Sequence, residues 1–186
     1  MIIYIHGFAS SGLGDKPKIF KKYFKNEIIT PSLSTIPFLA IHTLEDLIEV
    51  FLEKKEKVYL VGSSLGGFYS LYLANKYNLK VVLINPALKP ENTLKKFYSF
   101  GLVKNYFDNS NFEITQEQLK SLENFQVSLI QNPKNIIALI QKGDEIIDYN
   151  ESLEILKDCQ ILVEEGGNHS FDNIEKYLNK INNFFN

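Results

Sequence analysis

Val58-Tyr59-Leu60-Val61-Gly62-Ser63-Ser64-Leu65-Gly66-Gly67-Phe68 decides how this chain is read. Four apolar or β-forming residues run into a glycine-flanked serine, and Ser70-Leu71-Tyr72-Leu73-Ala74-Asn75-Lys76 continues with helical spacing that turns Leu and Tyr inward. The pattern predicts strand, sharp turn, helix. Its turn matches G-x-S-x-G with Ser64 at the centre. Gly62 and Gly66 have no Cβ, so strand and helix can approach closely while the serine takes a conformation that pushes its Oγ out of the turn. This is the form of a nucleophile elbow; the competing reading is a glycine-rich corner without chemistry.

Upstream, Ile2 to Ile5 is a short apolar run of the kind buried on both faces of a parallel sheet. It ends at His6-Gly7-Phe8, followed by the small-residue loop Ala9-Ser10-Ser11-Gly12-Leu13-Gly14. Asp15 and Pro17 begin a helix to about Lys25 with Ile19, Phe20, Tyr23 and Phe24 as its inward stripe. Glu27 to Thr30 is a second strand. Ser32 to Ala40 reads as loop, and Thr43-x-x-Asp46 as a capping box opening a helix to about Glu53, with His42 exposed just before it.

Downstream of the elbow, Val81 to Ile84 is the fourth strand and Ile136 to Ile140 the fifth, with Gln160 to Val163 the sixth. Between the fourth and fifth, residues 87–133 form a small helical, cap-like insert. It carries a Thr115-x-x-Gln118 cap and the aromatics Phe97, Tyr98, Phe100, Tyr106, Phe107 and Phe112. A helix over about 149–157 precedes the sixth strand, and a final one carries Ile174, Tyr177, Leu178, Ile181 and Phe185 inward.

The chain has 186 residues, 45% of them hydrophobic and 23% charged, and a net charge of −2. That length suits a single domain over 1–186. The charge offers no electrostatic case for nucleic acid or an anionic membrane as partner. Cys159 is alone, which excludes an internal disulfide and reads as a small buried apolar residue. The N-terminus lacks the charged region of a signal peptide, and a cytoplasmic protein is expected.

Strands alternating with helices imply a parallel sheet whose strand C-termini share one edge, where open α/β sheets bind ligands. Ser64 leaves the third strand, Asp144 the fifth and His169 the sixth; the order Ser, Asp, His is that of an α/β-hydrolase. A serine hydroxyl needs a base to take its proton as it attacks an acyl carbon, and an imidazole titrates in the right range. An acid on the other ring nitrogen would fix the tautomer. Asp144 is preferred over Asp148 because Gly143 supplies the strand-end turn. The backbone N–H groups of Phe8 and Leu65 are the expected oxyanion donors. His6 is expected to shape that loop rather than to act as base.

The strings I-H-G-F-x-S-S, V-G-S-S-L-G-G, N-P-A, G-D-E-x-x-D-Y and E-G-G-N-H-S-F closely resemble the small YqiA-like bacterial esterases, which are compact α/β-hydrolases. That resemblance implies hydrolysis of short-chain carboxylic esters, or of acyl thioesters, by Ser64, Asp144 and His169 through an acyl-serine intermediate. The expected partner is a small acyl ester or thioester, with no cofactor or metal. An acyl-CoA thioesterase or acyltransferase would use the same three residues, and a non-catalytic binding module on a hydrolase scaffold is the alternative from another class.

Overall fold

In a computed structural model that describes residues 1–95 and 101–186, the strands Ile2–Ile5 (β1), Ile28–Ile29 (β2), Tyr59–Ser63 (β3), Lys80–Ile84 (β4), Ile136–Gln141 (β7) and Gln160–Glu164 (β8) form one sheet. Its order is β2-β1-β3-β4-β7-β8, and every pairing is parallel. The sheet order reverses direction at β1 and β3, the point at which such sheets open a crevice beyond their strand ends.

The alternation of side chains along each strand divides the core in two. Ile3, Ile5, Leu60, Val81, Leu83, Ala138 and Ile140 face the helices Pro37–Glu53 (α2) and Leu65–Tyr77 (α3). Ile2, Tyr4, Val61, Val82, Ile84, Ile137 and Leu139 face Asp15–Phe24 (α1) and Leu178–Phe185 (α7). Both faces are covered, which is why the strands read as continuous apolar runs rather than alternating ones.

Several local expectations are corrected. The segment 37–40, read as loop, is the first turn of α2, which starts with Pro37 in the first helical turn and buries Ala40 and Ile41. Proline pre-sets the helical φ where no N–H is needed, and the buried pair extends the apolar stripe upstream. Thr43 is therefore inside the helix, its hydroxyl donating to Leu39 O at 2.9 Å, and exposed His42 lies 3.1 Å from the Asp46 carboxylate one turn on. The second strand is only two residues long because Lys25–Glu27 form a 3-10 turn. Tyr23, expected inside, is exposed and its hydroxyl donates to Asn179.

The segment between β4 and β7 is not purely helical. Besides Pro90–Leu94 (α4) and Gln116–Lys120 (α5) it holds an antiparallel hairpin, Leu102–Lys104 (β5) with Asn111–Glu113 (β6). The Thr115/Gln118 capping box forms as expected at α5. Phe97, Tyr98 and Phe100 lie outside the described residues. Tyr149–Ile155 (α6) leads into β8, and Ile174–Tyr177 make a 3-10 turn before α7. No helix among the described residues is long and apolar enough to cross a membrane.

Candidate active site

Ser64 sits between β3 and α3 with φ 56° and ψ −124°, a backbone conformation that L-residues rarely adopt. Tight ties hold it there: its N–H donates to Ile84 O at 3.1 Å, and its carbonyl accepts from Gly67 N at 2.8 Å and Ala87 N at 3.0 Å. The flanking glycines are required by space. A Cβ on Gly66 would stand 2.1 Å from Ile5 O, and one on Gly62 would stand 2.3 Å from Gly66 O. Helix α3 thus lies directly against β1 and β3, and its first residue, Leu65, presents an N–H that no intrahelical partner takes up.

The rim gathers three side chains distant in sequence. Ser64 Oγ lies 3.1 Å from His169 Nε2, and His169 Nδ1 lies 2.9 and 3.0 Å from the two oxygens of Asp144. The Asp144 side chain is 2% exposed and that of His169 is 24% exposed, so the acid is sealed while the imidazole reaches the surface of the site. Burial alone would raise the Asp144 carboxyl. Hydrogen bonds from His169 and from the N–H groups of Ile147 and Ile146, together with the His169 charge, outweigh it and hold the group below the ordinary carboxylate value. Asp148, the rival acid, is the N-cap of α6 and accepts from Asn150 N at 2.9 Å. Gly143 contributes by absence of bulk rather than by a special dihedral: a Cβ there would be 2.4 Å from Gly167 O, in the loop that carries His169.

His6 does not join this chain. Leu33 N–H donates to its Nε2 at 2.9 Å, so Nδ1 carries the proton and donates to Gly7 O at 2.8 Å. Burial lowers its pKa, the Gly7 carbonyl opposing, and the neutral ring splints the Gly7-Phe8 loop to the segment after β2. Phe8 lines the same cavity as Ser64 and Leu65, with its ring edge-on to Phe112 at 5.8 Å.

The described chain matches the uncharacterised protein family UPF0227 over residues 1–186. It belongs to that family. A UPF0227 protein of Serratia proteamaculans (strain 568) is 26% identical over 193 residues, which cover 99% of this chain and 98% of the relative. Two solved structures share the fold. A putative hydrolase from Agrobacterium vitis S4 aligns with a TM-score of 0.73 at 19% identity, covering 100% of this chain and 87% of its own. A monoacylglycerol lipase from Paleococcus ferrophilus aligns at 0.71 and 15% identity, covering 99% and 93%. The fold of this UPF0227 chain is that of the α/β-hydrolases, as the YqiA-like motifs implied.

In this UPF0227 protein two further residues hold the histidine loop. Buried Asn85 (φ 38°) donates to Asn168 O at 2.9 Å while its Oδ1 accepts from Gln141 N at 2.9 Å. Buried Gln141 accepts at Oε1 from Asn168 N and Asp172 N, and donates from Nε2 to Asp172 O and Glu164. Gly167 (φ 75°) passes so close that a Cβ would meet Gln141 Oε1 at 2.1 Å. The polar ends of two buried runs, Ile84-Asn85 and Ile140-Gln141, were the available signal in the sequence. Over the site opens a cavity of about 720 Å³ lined by residues including Phe8, Ser64, His169, Leu94, Tyr106 and Phe107. Among the described residues no group of three or more His, Cys, Asp or Glu side chains could hold a metal ion.

Proposed function

We propose that this protein is a serine carboxylesterase acting on small acyl esters, with Ser64 as nucleophile, His169 as general base and acid, and Asp144 as the group that orients it. The observation that carries this is the continuous hydrogen-bonded chain from Ser64 Oγ through both nitrogens of His169 to the buried Asp144 carboxylate. The Asp144 contact requires the proton on Nδ1, which leaves the Nε2 lone pair aimed at the serine hydroxyl.

In the first half-reaction His169 Nε2 takes the Ser64 proton as Oγ bonds to the acyl carbon. The charge that develops on the acyl oxygen meets the N–H groups of Leu65 and Phe8, the former reinforced by the positive end of α3. The imidazolium returns its proton to the departing alkoxide, and the alcohol leaves. Water then repeats the sequence: His169 removes its proton as it attacks the acyl-serine, and Ser64 regains a proton as the acid departs.

The Leu94, Tyr106 and Phe107 contribution to the cavity wall supports a cap role for the 87–133 segment in acyl binding. A fluorophosphonate probe tests the reading directly. One covalent adduct is expected on the native protein, and none on Ser64→Ala. Absence of an adduct on the native protein, or equal labelling of the variant, would reject it.

A further inference from the structure

Lys16 lies in the first turn of α1 and lines the same cavity as Ser64 and His169. Its Nζ donates to Ser63 Oγ at 2.8 Å, placing an ammonium beside the residue that precedes the nucleophile. Ser63 is itself buried and lines the same cavity, so this hydrogen bond anchors the lysine at the cavity wall rather than leaving it to swing in solvent.

The other charges of the cavity wall are already engaged. Lys18 pairs with Asp15 at 3.2 Å, and Glu145 accepts from His169 N at 3.0 Å. Among the described residues no carboxylate lies within ion-pair distance of Lys16; Asp144 acts on it only through space. A half-buried cation without a carboxylate partner is costly unless something else supplies the charge.

We propose that Lys16 is a specificity-determining residue that pairs with a carboxylate on the substrate, so that the protein acts on esters of carboxylate-bearing molecules. This deepens the esterase reading above and rests on it. A monoanion is favoured over a phosphate because one positive charge is uncompensated, and a dianion would need a second. Burial lowers the Lys16 pKa to about 8, with Asp144 opposing, so the ammonium persists at neutral pH and is lost within an accessible range.

Two substrate pairs matched in length test this. 4-Nitrophenyl hydrogen adipate against 4-nitrophenyl hexanoate puts the anion on the acyl chain; O-butyrylglycolate against ethyl butyrate puts it on the alcohol. The native protein is expected to prefer the anionic member of at least one pair by about tenfold or more in kcat/KM. That ratio should fall toward one in Lys16→Met, persist in Lys16→Arg, and decline in the native protein as pH rises through about 8.

No preference in either pair, or a ratio unchanged by Lys16→Met or by pH, would overturn the proposal. If Lys16→Met does not fold, Lys16→Arg and the native pH profile decide. Failure of the esterase reading shows separately, as no turnover of any of the four esters together with an unlabelled Ser64.

Discussion

Asp144 shows how one residue can carry both orientation and charge. Its carboxylate is sealed from solvent, yet it receives three hydrogen-bond donors, His169 Nδ1 and the Ile146 and Ile147 N–H groups. An amide in its place can present an N–H to Nδ1 and so favour the wrong tautomer. Asp144→Asn is therefore expected to lose on the order of 10⁴-fold in kcat, measured on 4-nitrophenyl butyrate, without unfolding. Because the folded state holds this carboxyl below its ordinary 3.8, its contribution to stability is present above that value and lost as pH falls through the lowered one. The gap in urea midpoint between the native protein and Asp144→Asn should accordingly shrink below about pH 3.8. In the proposed mechanism Ser64 and His169 share one proton transfer, so the Ser64→Ala/His169→Ala double variant is expected to be little slower than either single one. Full additivity would contradict the shared step.

The elements that matter most are those brought into backbone contact. Helix α3 rests on β1 where Gly66 faces Ile5 O, and no side-chain rearrangement can make room for a methyl group 2.1 Å from a strand carbonyl. Gly66→Ala is expected to cost about 3 kcal/mol or more, read as a lowered denaturant midpoint. Gly101→Ala, where an added Cβ meets nothing within 4 Å among the described residues, serves as the near-neutral control. The loop after β8 is tied in a different way, through the Gln141 side chain reaching across from β7. Gln141→Leu leaves the Asn168 and Asp172 N–H groups without their acceptor, at about 1–3 kcal/mol each where buried. Its expected signature is a fall in kcat with KM nearly unchanged, because His169 is displaced while the cavity wall that holds substrate stays. A rise in KM alone would show that Gln141 does not position the histidine.

At the scale of the molecule, the sheet collects loops on one rim and the segments around it hold them in place. His6 joins the end of β1 to Leu33 beyond β2 and stays neutral because burial opposes its charging. The unfolded chain takes up that proton near pH 6.5 and the native one only at lower pH, so stability from His6 is full above 6.5 and falls through the lowered value. The stability difference between the native protein and His6→Asn, from denaturant titrations at pH 7.5 and 5.5, should narrow on acidification; a constant difference would place the cost elsewhere. The β5–β6 hairpin meets the same loop: Tyr106 N donates to Ala9 O at 2.8 Å, linking the cavity cover to the residues after Phe8. Ser64, Asp144 and His169 were legible in the sequence because each follows an apolar strand and is marked by glycine, and a parallel sheet places all such ends on one edge. The sequence alone thereby determined the layer order and the three polar residues of the rim. Only tertiary structure decided where α2 begins, that a hairpin covers the cavity, and that Asn85, Gln141 and Lys16 belong to the site. Their roles depend on partners that pattern and spacing do not identify, whereas an elbow is written in consecutive residues.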